Sequence, residues 1–257
     1  MSFLRHLRPV KKFRYDYRGD GFAVRNKNLE FMQEDDFAQA YDWSANFEYS
    51  GKKSPWTKAD IRWRAHICVW AAKQALHLEG DFVDCGVDTG VLAGTIVKYL
   101  KFENINRTYF LFDTYEGIPN VEGMTIGEQQ HREYFNSNFY FNSFDFVQDK
   151  MKKYANVKLV KGFLPDTLSI LADRKIAYLS VDLNNAPSEQ AVIVKIWDQL
   201  TPGAIVVIDD FAFKGHEVQH KMWSEFASSK GIMVATLPTG QGLMIKNSHR
   251  SGISAHG

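Results

Sequence analysis

FVDCGVDTG (82–90), followed directly by VLAGTIVKYL (91–100), decides the fold. The first five residues form a short apolar run that ends in glycine, which predicts a buried strand and a tight turn. The next ten carry apolar residues at helical spacing. Strand, glycine turn and helix repeat outward from there. TYFLFD (108–113), VKLVKG (157–162), IAYLSVDL (176–183) and AIVVIDD (204–210) read as further strands. DTLSILA (166–172), SEQAVIVKIWDQL (188–200, ended by Pro202-Gly203) and HEVQHKMWSEFASSKG (216–231) read as helices. IMVATLP and GLMIK, joined by Thr239-Gly240-Gln241, read as a closing hairpin. Upstream, Ile61, Ala65, Cys68, Val69, Ala72 and Leu76 mark a helix within 58–78. Strands that are apolar throughout and alternate with helices predict a parallel sheet covered on both faces. The fold class is therefore α/β, with a mostly parallel seven-stranded sheet and an antiparallel terminal hairpin strand.

In such a sheet ligands bind beyond the carboxyl ends of the strands. Four of those ends carry acids: Asp84, Asp113, Asp182 and the pair Asp209-Asp210. Around the first turn the candidate cofactor-binding residues are Asp84, Cys85, Gly86, Thr89 and Gly90. Gly-x-Gly-x-x-Gly, which would seat a pyrophosphate on the helix N-terminus, is absent. An acid beside the turn repels pyrophosphate and attracts a cationic group, such as the ammonium of a methionine moiety; a βα turn without a ligand is the plainer alternative. Asp113, one βαβ unit downstream, is placed to accept two ribose hydroxyls, with Glu116 as a second candidate; a helix cap or turn is its structural alternative. Gly162 and Phe163 end the third strand and are candidates for an adenine slot, although Phe163 fits a core position equally well.

With 31 basic and 30 acidic side chains, no general affinity for nucleic acid is expected. No apolar run approaches the roughly 20 residues of a membrane span. Arg5, Arg8, Lys11, Lys12, Arg14 and Arg18 make the first 18 residues basic without the apolar stretch of a secretory signal. A solvated or subunit-packing arm is the reading, with a weak membrane-surface contact as the alternative. Cys68 and Cys85 lack metal spacing and read as reduced thiols, so a cytoplasmic location is expected. Residues 1–57 read as an N-terminal extension or cap and 58–250 as the catalytic domain. The long 114–156 connection, rich in aromatics from Tyr134 to Phe146, reads as a lid with one crossing helix, or as a satellite core. Trp43, Trp56 and Trp63 are candidates for lining an acceptor pocket. The aromatic N-terminal region suggests a homo-oligomer.

GDFVDCGVDTG, LFDTYEGIP, VKGFLPDTL, LSVDLN and LTPGAIVVIDDF occur in this order in residues 80–247, which thereby resemble the macrocin O-methyltransferase family. The resemblance implies a Rossmann-like class I methyltransferase that uses S-adenosylmethionine and transfers methyl to a hydroxyl of a glycosyl or other small-molecule acceptor. It also implies magnesium, with Asp182, Asp209 and Asp210 as metal ligands. Three clustered carboxylates repel one another unless a cation pairs with them, which agrees with this. The position two residues after Asp182 is Asn184, where the family often has a second acid. Asp182 is the candidate catalytic base and His216 its alternative. A nicotinamide oxidoreductase and a non-catalytic module that retains the cofactor pocket are the competing readings.

Overall fold

The computed structural model describes residues 14–248. The basic positions Arg5, Arg8, Lys11 and Lys12, and the last residues of the expected 58–250 domain, lie outside them. Two short antiparallel ladders, β1 (Tyr17–Gly19) with β2 (Phe22–Val24) and β3 (Glu48–Tyr49) with β4 (Lys52–Lys53), precede a central sheet of seven strands in the order β10-β11-β9-β8-β5-β6-β7. Its parallel part is β5 (Asp81–Cys85), β6 (Tyr109–Asp113), β7 (Val157–Lys161), β8 (Ile176–Val181) and β9 (Leu200–Ile208). β11 (Gly242–Ile245) runs antiparallel to β9, and β10 (Ala235–Thr236) closes the edge. Chain order reverses at β5, which lies between β6 and β8, so the switch point falls where the glycine turn leaves β5.

Alternate residues of β5 feed two cores. Phe82 joins Tyr109, Leu111, Tyr178 and Val207 on one face. Val83 and Cys85 join Phe110, Phe112, Leu179 and Val181 on the other. The first face is covered by α1 (Asp35–Ala45), α2 (Arg62–Ala75), α3 (Val91–Tyr99) and α5 (Phe144–Met151). The second is covered by α6 (Ala186–Ile196) and α7 (Glu217–Ser229). β9 starts four residues before its expected start: Leu200 pairs with Ile176, the register then slips, and Ile205 pairs with Tyr178. Pro202 and Gly203 (φ +93°) sit inside that irregularity rather than separating helix from strand.

The N-terminal region is more than a cap. Phe37, Tyr41 and Ala45 of α1 lie in the main core, and the Ser44 hydroxyl donates to the carbonyls of Gly90 and Val91. Lys150 of α5, 2% exposed, donates from Nζ to the carbonyls of Ser44 and Thr89 at 2.9 and 2.8 Å. That lysine ties α1 and α5 to the start of α3. Trp63 and Trp43 are structural, packing on Tyr17, Phe22 and Phe31 and on Phe47 and Tyr154 respectively. His66 packs between Phe31 and Phe37.

The 114–156 connection holds two helices, α5 and the unexpected α4 (Ile126–Asn138). α4 begins at a capping box in which Thr125 and Glu128 exchange hydrogen bonds. Glu128 also accepts from the Ala186 amide at 2.7 Å, fixing α4 to the start of α6. Among the described residues no helix is long and apolar enough to cross a membrane.

Candidate active site

A cleft of about 620 Å3, including its open mouth, lies over the carboxyl ends of β5, β6, β7 and β8. Four residues expected from sequence meet in it: Gly86, Asp113, Gly162 and Asp182. Tyr140, Phe141, Ile118 and Pro119 give it apolar walls from the 114–143 segment, and Asn184 and Asn185 give it a polar end.

Gly86 has φ +91°, and a Cβ there would fall 1.8 Å from the Asp182 carbonyl oxygen. The turn after β5 and the turn after β8 therefore touch backbone to backbone. Asp113 stitches a third element to them. Its Oδ2 accepts from the amides of Val87 and Asp88 at 2.6 and 2.8 Å, and its Oδ1 accepts from Tyr115 N at 2.7 Å. Three cleft residues other than glycine, Asp88, Tyr115 and Asn184, have left-handed backbones (φ +48°, +58° and +59°). Such strain costs about 1–3 kcal/mol per residue and concentrates at functional sites. Asparagine tolerates this conformation better than most residues, which accounts for its presence at 184.

Asp88 was not anticipated. Burial raises its pKa to about 6, the Trp56 indole N–H at 2.8 Å opposes the rise, and the Asp113 charge adds to it. Trp56 alone of the three tryptophans thus reaches the cleft, through Asp88.

Asp182 lies at the polar end. Burial, then the charges of Asp209 and Asp210, hold its pKa well above the carboxylate range, against the pull of Arg64. Its Oδ1 accepts from Asn184 Nδ2 at 3.0 Å, while Asn184 Oδ1 faces His131 Nε2 at 3.3 Å. The His131 ring meets His216 edge-on at 4.9 Å.

The other expected residues do not line the cleft. Asp84 points with Phe82 into the first core, where Oδ1 has no hydrogen-bond partner. Burial pushes its pKa up to about 8, the Tyr109 hydroxyl opposing and Asp209 adding. Cys85 faces the second core, Thr89 pairs with the Ser54 hydroxyl at 2.7 Å, and Gly90 caps α3 in a left-handed conformation. Glu116 stands at the surface, paired with Lys161 at 2.7 Å. Leu164 takes the wall position expected of Phe163. His216 is buried beside the Gln219 carboxamide at 2.6 Å and 3.9 Å from Asp210.

The carboxylates expected to hold magnesium are engaged otherwise. Asp209 Oδ2 accepts from Arg64 Nη1 at 2.5 Å and its Oδ1 from Gln241 Nε2 at 3.1 Å. Asp210 lies 4.0 Å from Arg64. Among the described residues no three His, Cys, Asp or Glu side chains converge to hold a metal ion. The Asp182, Asp209 and Asp210 set thus does not fit a divalent cation, because both Asp209 oxygens already accept N–H donors and one of those donors is a guanidinium.

Asp84 yields a prediction about pH. Its folded pKa of about 8 exceeds the unfolded 3.8, so the folded chain keeps a proton the unfolded chain has released between them. Its contribution to stability is full below pH 3.8 and is lost as pH rises through about 8, at roughly 1.4 kcal/mol per pH unit within that window. The margin by which Asp84→Asn exceeds wild type in denaturant melts should grow from about pH 4 to about pH 8 and stay level above that. Equal stability of the two at alkaline pH would contradict the buried placement of this carboxyl.

A mostly parallel sheet with its cleft at the switch point, and a carboxylate at the end of each of the strands β6 and β8, is an arrangement that a class I methyltransferase has. The family profile described as Macrocin-O-methyltransferase (TylF) matches residues 66–237. The chain belongs to that family, and it is an S-adenosylmethionine-dependent methyltransferase. No curated protein matches the sequence. Solved structures share the fold. The O-methyltransferase NovP superposes with a TM-score of 0.63 at 19% identity, over 81% of this chain and 88% of its own. The calicheamicin methyltransferase CalS11 gives 0.55 at 16%, over 86% and 94%. Podospora anserina PaMTH1, solved with S-adenosylhomocysteine, gives 0.56 at 13%, over 88% and 100%.

Proposed function

We propose that the chain methylates a hydroxyl of a glycosyl or sugar-like small molecule. The observation that carries this reading is Asp182, a half-buried carboxylate of raised pKa in the same cleft as Gly86, Asp113 and Gly162. Family membership supports a hydroxyl as the acceptor group, and the CalS11 relative is described as a TDP-rhamnose 3'-O-methyltransferase.

The Gly86 and Gly162 backbones and the carboxylates of Asp88 and Asp113 would hold S-adenosylmethionine. When bound, that group supplies an electrophilic methyl on a sulfonium. The chain must align an acceptor oxygen with the methyl and remove its proton. Asn184 holds Asp182 by Oδ1, so Oδ2 would be the atom that takes the acceptor proton while the methyl passes from sulfur to the acceptor oxygen. Tyr140 and Phe141 exclude water and offer flat apolar surfaces to a sugar ring. The 114–143 segment acts as the lid of the acceptor end, and Asn184 and Asn185 supply donors and acceptors for further hydroxyls.

The test is incubation with methyl-labelled S-adenosylmethionine and a panel of nucleotide sugars, deoxysugar glycosides and amine-bearing analogues. Label is expected as an O-methyl ether on a glycosyl hydroxyl. Label on nitrogen alone would overturn the reading.

A further inference from the structure

The strand-end carboxylates hold a cation that belongs to the chain itself. Arg64 reaches them from α2, 145 residues away in sequence from Asp209. Its Nε and Nη2 grip Asp20 in a two-pronged contact at 2.7 and 2.8 Å, its Nη1 donates to Asp209, and its guanidinium lies over the Phe213 ring at 4.8 Å. The side chain is 13% exposed. Asp20 is delivered by a hairpin, β1 (Tyr17–Gly19) and β2 (Phe22–Val24), whose Asp20-Gly21 turn has both residues at positive φ.

We propose that Arg64, clamped by Asp20, takes the place of a divalent metal at Asp209 and Asp210, so that methyl transfer in this chain needs no metal ion. The proposal rests on the methyltransferase reading above. Both oxygens of Asp209 already accept N–H donors, from Arg64 and Gln241. A divalent ion on that carboxylate would sit against a guanidinium that cannot shed its charge to relieve the repulsion. Planar two-pronged pairing with Asp20 fixes the guanidinium in one orientation. The amide nitrogen of Asn184, not an acid, faces Asp182. Arg64 acts here as a positioning residue: it fixes the Asp209 carboxylate in one orientation without touching the acceptor.

The test is Mn2+ uptake by the full-length chain, read by electron paramagnetic resonance, in wild type, Arg64→Met and Arg64→Met/Asp209→Asn. S-adenosylhomocysteine binding is measured on the same samples. Wild type is expected to bind no Mn2+ at millimolar concentration, and its turnover to be unchanged by a chelator. Arg64→Met is expected to gain one Mn2+ per chain, and the double variant to lose it. One Mn2+ per wild-type chain that Asp209→Asn abolishes, or no gain in folded Arg64→Met, would overturn the proposal. If Arg64→Met does not fold, wild-type uptake and the chelator result decide. Failure of S-adenosylhomocysteine to bind would count against the methyltransferase reading, whereas Mn2+ uptake reads the carboxylates alone.

Discussion

Asp182→Asn is expected to lower kcat by about 10²–10⁴-fold, the usual share of a positioned acid–base group, while S-adenosylhomocysteine binds as to wild type. The carboxamide keeps the shape of the side chain and its contact with Asn184, but it cannot take up the acceptor proton. Stability should hold or rise. The carboxyl it replaces lines the cleft with Asp209 and Asp210 as like-charged neighbours, so removing the charge removes a repulsion. The wild-type rate should increase with pH until Asp182 ionises, above the ordinary carboxylate range. Steady-state rates with a calorimetric binding titration and a melt separate these effects. A variant whose kcat lies within about tenfold of wild type would place the base elsewhere, well short of the loss expected for a general base; His131, bonded to the same asparagine, would then be the first residue to examine.

Gly86→Ala is expected to have the second large effect, on fold and cofactor together. The added methyl would need a φ of +91° and would lie 1.8 Å from the Asp182 carbonyl oxygen. Backbone strain of about 1–2 kcal/mol and overpacking of about 1–3 kcal/mol give a destabilisation of roughly 2–5 kcal/mol. For a chain of this length that lowers the unfolding midpoint by on the order of 10 °C. The turns after β5 and β8 must separate to admit the methyl, so binding of S-adenosylhomocysteine should be lost with it. Thermal melts with and without the ligand test this. A variant that keeps both wild-type stability and ligand response would show that the two turns do not touch as described.

The sheet was legible because its inner strands are apolar throughout and each helix between them starts and stops at glycine, proline or a charged cluster. The strand ends were legible too, and they carry Gly86, Asp113, Gly162 and Asp182 to the cleft. What the sequence withheld is which way a side chain faces. In FVDC both faces of the strand are buried, so alternation gives no polar side, and Asp84 turned out to share the face of Phe82. Glu116 and Phe163 lie just beyond strand ends, where one residue of turn geometry decides between cleft, surface and core. Arg64 pairs with acids 44 and 145 residues away, and no local pattern announces such a pair. Two further signals lie in the sequence: Thr125-x-x-Glu128, which starts α4, and Asp20-Gly21, which makes the hairpin that clamps Arg64.

The most direct test of the central claim is a titration of S-adenosylhomocysteine, with NAD as the control, followed by thermal unfolding at saturation. One site per chain is predicted for S-adenosylhomocysteine and none for NAD. Ligand at 100 times its dissociation constant adds about 2.7 kcal/mol and should raise the midpoint by on the order of 5–10 °C. Absence of binding at saturating S-adenosylhomocysteine, or a response to NAD in its place, would contradict the account of the cleft.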